Sequence, residues 1–274
     1  MTRPAEPLSA RLARRVNTVI AVVTLIFLAA PVLAIVPLSF SAGSFLTYPL
    51  PGLSLRWYSD FLSSPLWTRA LGTSLLLGAG TTLAATTLGT LAALGLANSR
   101  LRLRGALMAL IVSPMIVPVV VLAVGMTFVF SAAGLTNSLL GLLLAHTTLA
   151  VPFVVITVTA TLSGFDPGLL RAAASLGAPP LAAFRRVVLP LIAPGLLSGA
   201  VFAFATSFDE VVLALFLSGP AQMTLPKQMF LSLRETISPT LLAAAVLMTL
   251  VSTSLLLAIE LLRRRSARLR GGER

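Results

Sequence analysis

The residues able to do chemistry in this chain are few, and their spacing limits what that chemistry can be. Cysteine is absent from the 274 residues and histidine occurs once, at His146. Disulfides, zinc ribbons, iron–sulfur sites and cysteine nucleophiles are thereby excluded. Eight acidic residues and one histidine provide no metal-ligand set, so no metal is predicted. No Gly-x-x-x-x-Gly-Lys-[Ser/Thr] phosphate loop occurs, and the single lysine is Lys227. One acidic pair stands out: Asp209 and Glu210 follow 22 uncharged residues and precede the apolar run Val211 to Leu217. Adjacent residues on a helix point about 100° apart, so the pair is not an opposed acid–base couple of the glycosidase kind. A helix of that length covers about 33 Å, which puts the pair at the outer end of a membrane span or slightly within it. Acids there are costly unless they face a polar path or a partner. Two readings remain open. The pair attracts a cationic substrate, for which carboxylates are fitting partners, or it is structural, held by Lys227 or Arg234. No catalytic residue is predicted.

The elements that must position these residues are read from where charge is missing. Hydrophobic residues make up 57% of the chain and charged residues 10%, against about 25% charged in a soluble domain. A disordered chain, a coiled coil and an ordinary soluble enzyme are excluded. Uncharged stretches run over 16–40, 70–99, 105–165, 187–208 and 236–259. A bilayer core of about 30 Å takes roughly 20 helical residues. The stretch over 105–165 is too long for one crossing, and Gly134 and Asn137 offer a turn that divides it. Six spans are therefore predicted, at 16–39, 70–97, 106–130, 138–162, 187–208 and 238–261. The runs are continuously apolar rather than alternating, which excludes a β-barrel. The fold class is all-α integral membrane. It comprises an N-terminal tail over 1–15, a six-span domain over 16–262 and a basic tail over 263–274.

A net charge of +12 first suggests nucleic acid, but the basic residues lie at separate helix ends. With the N-terminus inside, Arg3, Arg11, Arg14, Arg15, Arg100, Arg102, Arg104, Arg171, Arg185 and Arg186 are cytoplasmic. So are Arg263, Arg264, Arg265, Arg268, Arg270 and Arg274, which leaves Arg56, Arg69, Lys227 and Arg234 outside. Sixteen against four is the positive-inside bias of a protein with both termini cytoplasmic. Lipid headgroups account for the charge, and no nucleic-acid partner is predicted. The first apolar run exceeds the 7–15 residues of a signal-peptide core, so it reads as an uncleaved helix. Trp57, Tyr58 and Trp67, in the loop over 41–69, read as a headgroup belt. His146, beside Thr147 and Thr148, reads as an interhelical hydrogen-bonder. Asn98 reads as a helix-end cap and Glu260 as an i,i+4 partner of Arg264. Pro114 and Pro118 loosen the third span.

The connection over 164–186 is not a short polar turn. Asp166-Pro167 is a helix-start signal, and Leu169 to Leu176 is rich in strong helix formers. Gly177-Ala178-Pro179-Pro180 breaks that helix, and Leu181 to Val188 can form a second one. An apolar helix–break–helix unit at a membrane face docks on a partner protein or lies on lipid.

This segment resembles the signature of permease subunits of ATP-binding-cassette importers. That motif runs Glu-Ala-Ala, three residues, Gly, then a downstream Leu-Pro and Pro. Here it reads Arg171-Ala172-Ala173-Ala174-Ser175-Leu176-Gly177-Ala178, followed by Phe184, Leu189-Pro190 and Pro194. The chain departs from the motif at Arg171, where the family has Glu. Leu53 to Tyr58, Ser207 to Val212 and Leu225-Pro226 to Leu233 are similar to permeases of spermidine/putrescine-type importers. The resemblance implies a type I ABC importer permease fold in a bacterial inner membrane. It implies that Arg171, Ala172, Ala173, Gly177, Ala178, Phe184, Leu189 and Pro190 form a coupling helix and its support, seated in a groove of an ATPase subunit. The implied partners are an ATPase dimer, a second permease (sibling or identical), a periplasmic substrate-binding protein and membrane lipid. The chain itself would be no enzyme and would hold no cofactor, with ATP bound by the ATPase. The implied substrate is a polyamine or similar small organic cation passing Asp209 and Glu210, with an opine or amino-acid-like solute as the alternative. A self-contained secondary transporter is a further alternative, but it would need ionisable residues on several helices, and mid-span charges are nearly absent.

Overall fold

In lipid, a continuously apolar segment can satisfy its backbone only by closing hydrogen bonds within itself, and the chain accordingly folds as helices. The computed structural model describes residues 8–98, 102–166, 168–235 and 238–271. Arg3, Arg100, Pro167 and Arg274 lie outside the described residues, as do the side chains of Arg11, Asn98, Arg263, Arg264, Arg265, Arg268 and Arg270. The helices are α1 (Leu8–Ser39), α2 (Arg56–Ser63), α3 (Pro65–Asn98), α4 (Arg104–Ile116), α5 (Val119–Ala132) and α6 (Leu139–Leu162). They continue with α7 (Gly168–Ser175), α8 (Pro180–Ala183), a π-turn (Phe184–Val188), α9 (Leu189–Phe208) and α10 (Val212–Leu217). A short 3₁₀ turn (Pro220–Gln222) then leads to α11 (Leu225–Glu235) and α12 (Pro239–Gly271). The β-pairing among the described residues is limited to one antiparallel bridge between Ser41 and Leu53.

Five segments are long and apolar enough to cross a membrane: Leu12–Ser39, Pro65–Ala97, Leu139–Leu162, Pro180–Phe208 and Pro239–Ala258. The predicted third span, 106–130, is not one straight helix. It is α4 and α5 joined at a 105° bend. Pro118 supplies no N–H and biases the preceding residue toward extended backbone, and Val117 adopts φ −69° and ψ 132°. The two pieces count as a sixth crossing only when taken together. The predicted break between spans three and four does form, with Gly134 at φ 68° and Asn137 at φ 55°. Asn137 N donates to Leu217 O at 2.8 Å, and Ser138 Oγ caps α6 by accepting from Gly141 N at 3.0 Å.

The bundle centre is α3, α6 and α9. Gly195 and Gly199 lie four residues apart on the face of α9 that meets α6. A Cβ on Gly199 would sit 2.7 Å from Thr157 Oγ1 and 3.0 Å from Val154 Cα, and one on Gly195 would collide with Thr161 Oγ1. This is the small-xxx-small pattern that lets membrane helices approach closely. Buried Ala85, Ala93, Val154, Val158, Val188 and Ile192 fill the half of the bundle toward α7. Toward the opposite end, Phe61, Trp67, Phe208, Leu225, Leu241 and Ala244 join α2, α3, α9, α11 and α12. Trp57 and Trp67 are only 6% and 7% exposed, so they are core residues rather than the predicted headgroup belt. Trp57 Nε1 donates to Ser41 O at 2.8 Å, which makes burying its indole N–H affordable. By contrast, α1 packs along α12 and leaves its apolar side chains exposed, with Phe27 at 74%.

Candidate functional site

Two places gather the residues singled out by sequence: the corner after α9 and the segment around α7. The corner's level is set by a buried polar set. His146 Nδ1 on α6 lies 2.9 Å from Ser207 Oγ on α9, and Ser207 Oγ lies 3.3 Å from Thr81 Oγ1 on α3. His146 is thus the interhelical hydrogen-bonder read from sequence, although its Nε2 has no partner among the described residues. One residue later, at Phe208, α9 ends, closed by Asp209 N donating to Ala205 O at 3.1 Å.

At this corner the acidic pair separates. Glu210 turns toward α10, where Oε1 accepts from Val212 N at 3.1 Å and Oε2 accepts from Leu213 N at 2.7 Å. Burial pushes its carboxyl above the ordinary value, the amides of Leu213, Ala214 and Val212 pull it back, and the Asp209 charge adds to the rise. Asp209 turns the other way. It is exposed and borders a cavity of about 350 Å³ lined by Met229, Ala245, Met248, Thr249, Ser252, Thr253 and Leu256.

The structural pairing considered from sequence does not form. Lys227 is 8% exposed, and its Nζ donates to Ser218 O at 2.6 Å and Ser218 Oγ at 3.0 Å. Burial pushes its ammonium below the ordinary lysine value. Arg234 sits over the Phe230 ring at 4.7 Å. Both cations are engaged with neutral groups. Sequence reasoning passed over Thr249, Ser252 and Thr253. The signal was present: hydroxyls at i, i+3 and i+4 in an apolar helix share one face.

At the other end, Asp166 Oδ1 accepts from Gly168 N at 2.7 Å and starts α7. Gly177 ends it in the left-handed region at φ 80°. Gly177 N donates to Ala174 O at 2.9 Å and Ala178 N donates to Ala173 O at 3.0 Å, the paired bonds of a Schellman cap. The chain then enters α8, and the second helix predicted from sequence does not end before the fifth span. It runs through the π-turn directly into α9. Arg171, Ala172, Gly177 and Pro190 are exposed, and Leu176 reaches 88%. Ala173 and Leu189 are half-buried. Ala178 and Phe184 face inward, onto an apolar cleft of about 470 Å³ shared with Leu94, Ala97, Leu162 and Phe165. The motif therefore divides into an outward strip and an inward support.

The architecture agrees with that of known proteins. The family described as "Binding-protein-dependent transport system inner membrane component" matches residues 85–268. The spermidine/putrescine transport system permease protein PotC of Shigella flexneri is 30% identical over 247 residues, covering 90% of this chain and 93% of that protein. The putrescine transport system permease protein PotI of Escherichia coli (strain K12) is 34% identical over 228 residues, 81% of each. In fold, the chain is similar to a bacterial ABC transporter involved in the import of the acidic polysaccharide alginate. The TM-score is 0.71 at 16% identity, over 96% of this chain and 99% of that one. The chain belongs to the inner-membrane component family of binding-protein-dependent transport systems and is a multi-pass permease subunit of an ABC importer.

Proposed function

We propose that this permease imports a polyamine or a similar small organic cation. The observation that carries the reading is its identity of 30% and 34% with relatives named for spermidine and putrescine transport. Asp209 supports it chemically, because a carboxylate facing a cavity is a fitting partner for an ammonium group. The end bearing Arg102, Arg104, Arg171, Arg185 and Arg186 is cytoplasmic in this reading, with both termini on that side. The outward strip of α7, with Arg171, Ala172 and Leu176, docks on an ATPase subunit that binds the ATP, and this chain holds no cofactor. A second permease, sibling or identical, completes the pore, and a periplasmic binding protein delivers substrate at the opposite end.

The geometry supports a simple transmission. A push on α7 passes through the Gly177 turn into the helical run Pro180–Phe208, whose 29 residues cover about 43 Å. That run ends beside Asp209, so displacement at the ATPase alters the corner. The test is reconstitution of the chain with its neighbouring transporter subunits in proteoliposomes, followed by uptake of labelled putrescine and spermidine. ATP-dependent uptake supports the reading. Uptake without ATP, or of an anionic or neutral solute to the exclusion of amines, refutes it.

A further inference from the structure

We propose that the ATPase groove receiving α7 holds a carboxylate facing Arg171, and that this charge pair selects which ATPase the permease accepts. The inference rests on the ATPase-docking reading above and names the chemistry of that contact. The inward flank of α7, Leu170, Ala174 and Ala178, lines the apolar cleft with Leu94 and Ala97 at the end of α3 and Leu162 at the end of α6. α7 therefore lies beneath the ends of the spans, and its opposite side faces away from the bilayer. On that side Leu169, Ala172 and, just past the helix, Leu176 follow at i, i+3 and i+7 and share one stripe. Leu169 is 44% and Leu176 88% exposed. One short helix thus carries apolar flanks on opposite sides, and the bundle fills one of them.

The charge beside that stripe has one dominant sign. Between Gly164 and Val188 the chain carries Arg171, Arg185 and Arg186, all exposed, against the single acid Asp166. Asp166 Oδ1 accepts from Gly168 N at 2.7 Å as the cap of α7, so it is committed to the helix start. Arg171 shares its flank with Ser175 at i+4, whose hydroxyl donates back to Arg171 O at 3.0 Å. The guanidinium is then the charged group that enters a groove together with the apolar stripe. It has five donors and no acceptor, and it keeps its proton. Taken out of water without a partner it is costly, whereas a carboxylate meets it with two parallel hydrogen bonds. Arg185 and Arg186 widen the positive field and favour an acid-rimmed groove. The family motif has Glu at this position, and a groove suited to that acid offers donors or positive charge, which Arg171 opposes. Like charges brought together in a contact exclude the wrong partner.

The chain has no cysteine and one lysine, Lys227, which is 8% exposed at the opposite end of the bundle. Arg171→Lys therefore sets the one lysine amine on α7. In the assembled transporter a water-soluble carbodiimide, which joins amines to carboxylates in contact, is expected to link position 171 to an Asp or Glu of the ATPase subunit, located by mass spectrometry. Leu176→Cys, carrying a benzophenone attached before assembly, reports docking without regard to charge. Photocrosslinking from 176 to the ATPase without carboxylate coupling at 171 overturns the acid and leaves docking standing. Photocrosslinking from 176 to lipid, or to no ATPase, refutes the docking reading and the proposal with it.

Titration provides the second arm. For half-maximal stimulation of ATP hydrolysis, Arg171→Lys should need at most about threefold more ATPase subunit, Arg171→Gln about tenfold and Arg171→Glu at least about thirtyfold. Added salt should weaken the wild type more than Arg171→Gln. Replacing the coupled acid of the ATPase by Arg should recover Arg171→Glu at least about tenfold. Equal stimulation for Arg171→Glu and wild type, or a loss that the exchanged ATPase does not recover, overturns the proposal.

Discussion

Replacing Gly177 tests the coupling role most directly, because the structure isolates one energy term. Gly177 sits at φ 80°, and a Cβ built on it meets nothing within 4 Å. A side chain there has room, so its penalty is conformational alone. An ordinary L residue in the left-handed region costs about 1–2 kcal/mol, which shifts a turn equilibrium by about 5–30-fold. Asn tolerates this region and should cost little, whereas a β-branched residue is an outlier there. Coupling should therefore fall in the order Gly, Asn, Ala, Val, with Ala needing up to about 5–30-fold more ATPase subunit for the same stimulation. Gly177→Asp should fall below Asn, since it adds a charge to the outward strip. The assay is ATP hydrolysis stimulated by loaded binding protein, titrated against the ATPase subunit. Thermal stability should fall in the same order and by no more than the same about 1–2 kcal/mol, because open space adds no packing penalty to the backbone strain. Equal coupling for Asn and Val, or no loss with Ala, would refute the reasoning.

Five further outcomes are expected. Gly199→Ala forces a Cβ to 2.7 Å from Thr157 Oγ1 and should destabilise the bundle by about 1–3 kcal/mol. Gly72→Ala, with open space around it, should gain up to about 1 kcal/mol from helix propensity, and thermal unfolding in detergent separates the two. Lys227→Met strands Ser218 O and should loosen the stretch between α10 and α11 by about 1–3 kcal/mol, read as faster amide exchange over 218–224. A reducible thiol crosslink between Ala97→Cys and Ala174→Cys, which share the apolar cleft, should stop ATP-driven uptake until reduced. A crosslink replacing the Phe153–Phe202 ring contact between α6 and α9 (centroids 5.9 Å apart) should leave uptake intact.

Much of the architecture was legible because charge is scarce, so the ends of spans announce themselves. Gly134 and Asn137 marked the turn before α6, and the spacing from Arg171 to Pro190 marked the unit around α7. What failed depended on tertiary context. Pro118 was read as loosening a span, but whether a proline kinks or breaks a helix depends on what re-satisfies the freed backbone groups. Trp57 and Trp67 looked like headgroup anchors because composition cannot show that α2 folds back under α12. Asp209 and Glu210 were read as a pair because they are adjacent. Their separation follows because Asp209 is the C-cap of α9 while Glu210 binds the first amides of α10, a one-residue distinction that periodicity does not resolve. The hydroxyl face of α12 was visible as spacing, yet only the approach of Asp209 gives it meaning.

The run from α8 to α9 is not uniformly stiff, and this decides how a push on α7 is spent. Its first part contains the π-turn over Phe184–Val188 and Pro194 within α9. A π-turn and a proline each remove regular i→i−4 bonds, so bending concentrates there. Past Pro194 the helix is clamped: Gly195 and Gly199 seat it against Thr161, Thr157 and Val154, and Ser207 ties it to His146 and Thr81. A displacement entering at Gly177 is therefore taken up as an angle near 184–194, and α3, α6 and the rest of α9 turn together. At the Asp209 end, buried Phe208, Leu241, Ala244 and Met248 join α9 to α12, so the corner is carried with the clamped body.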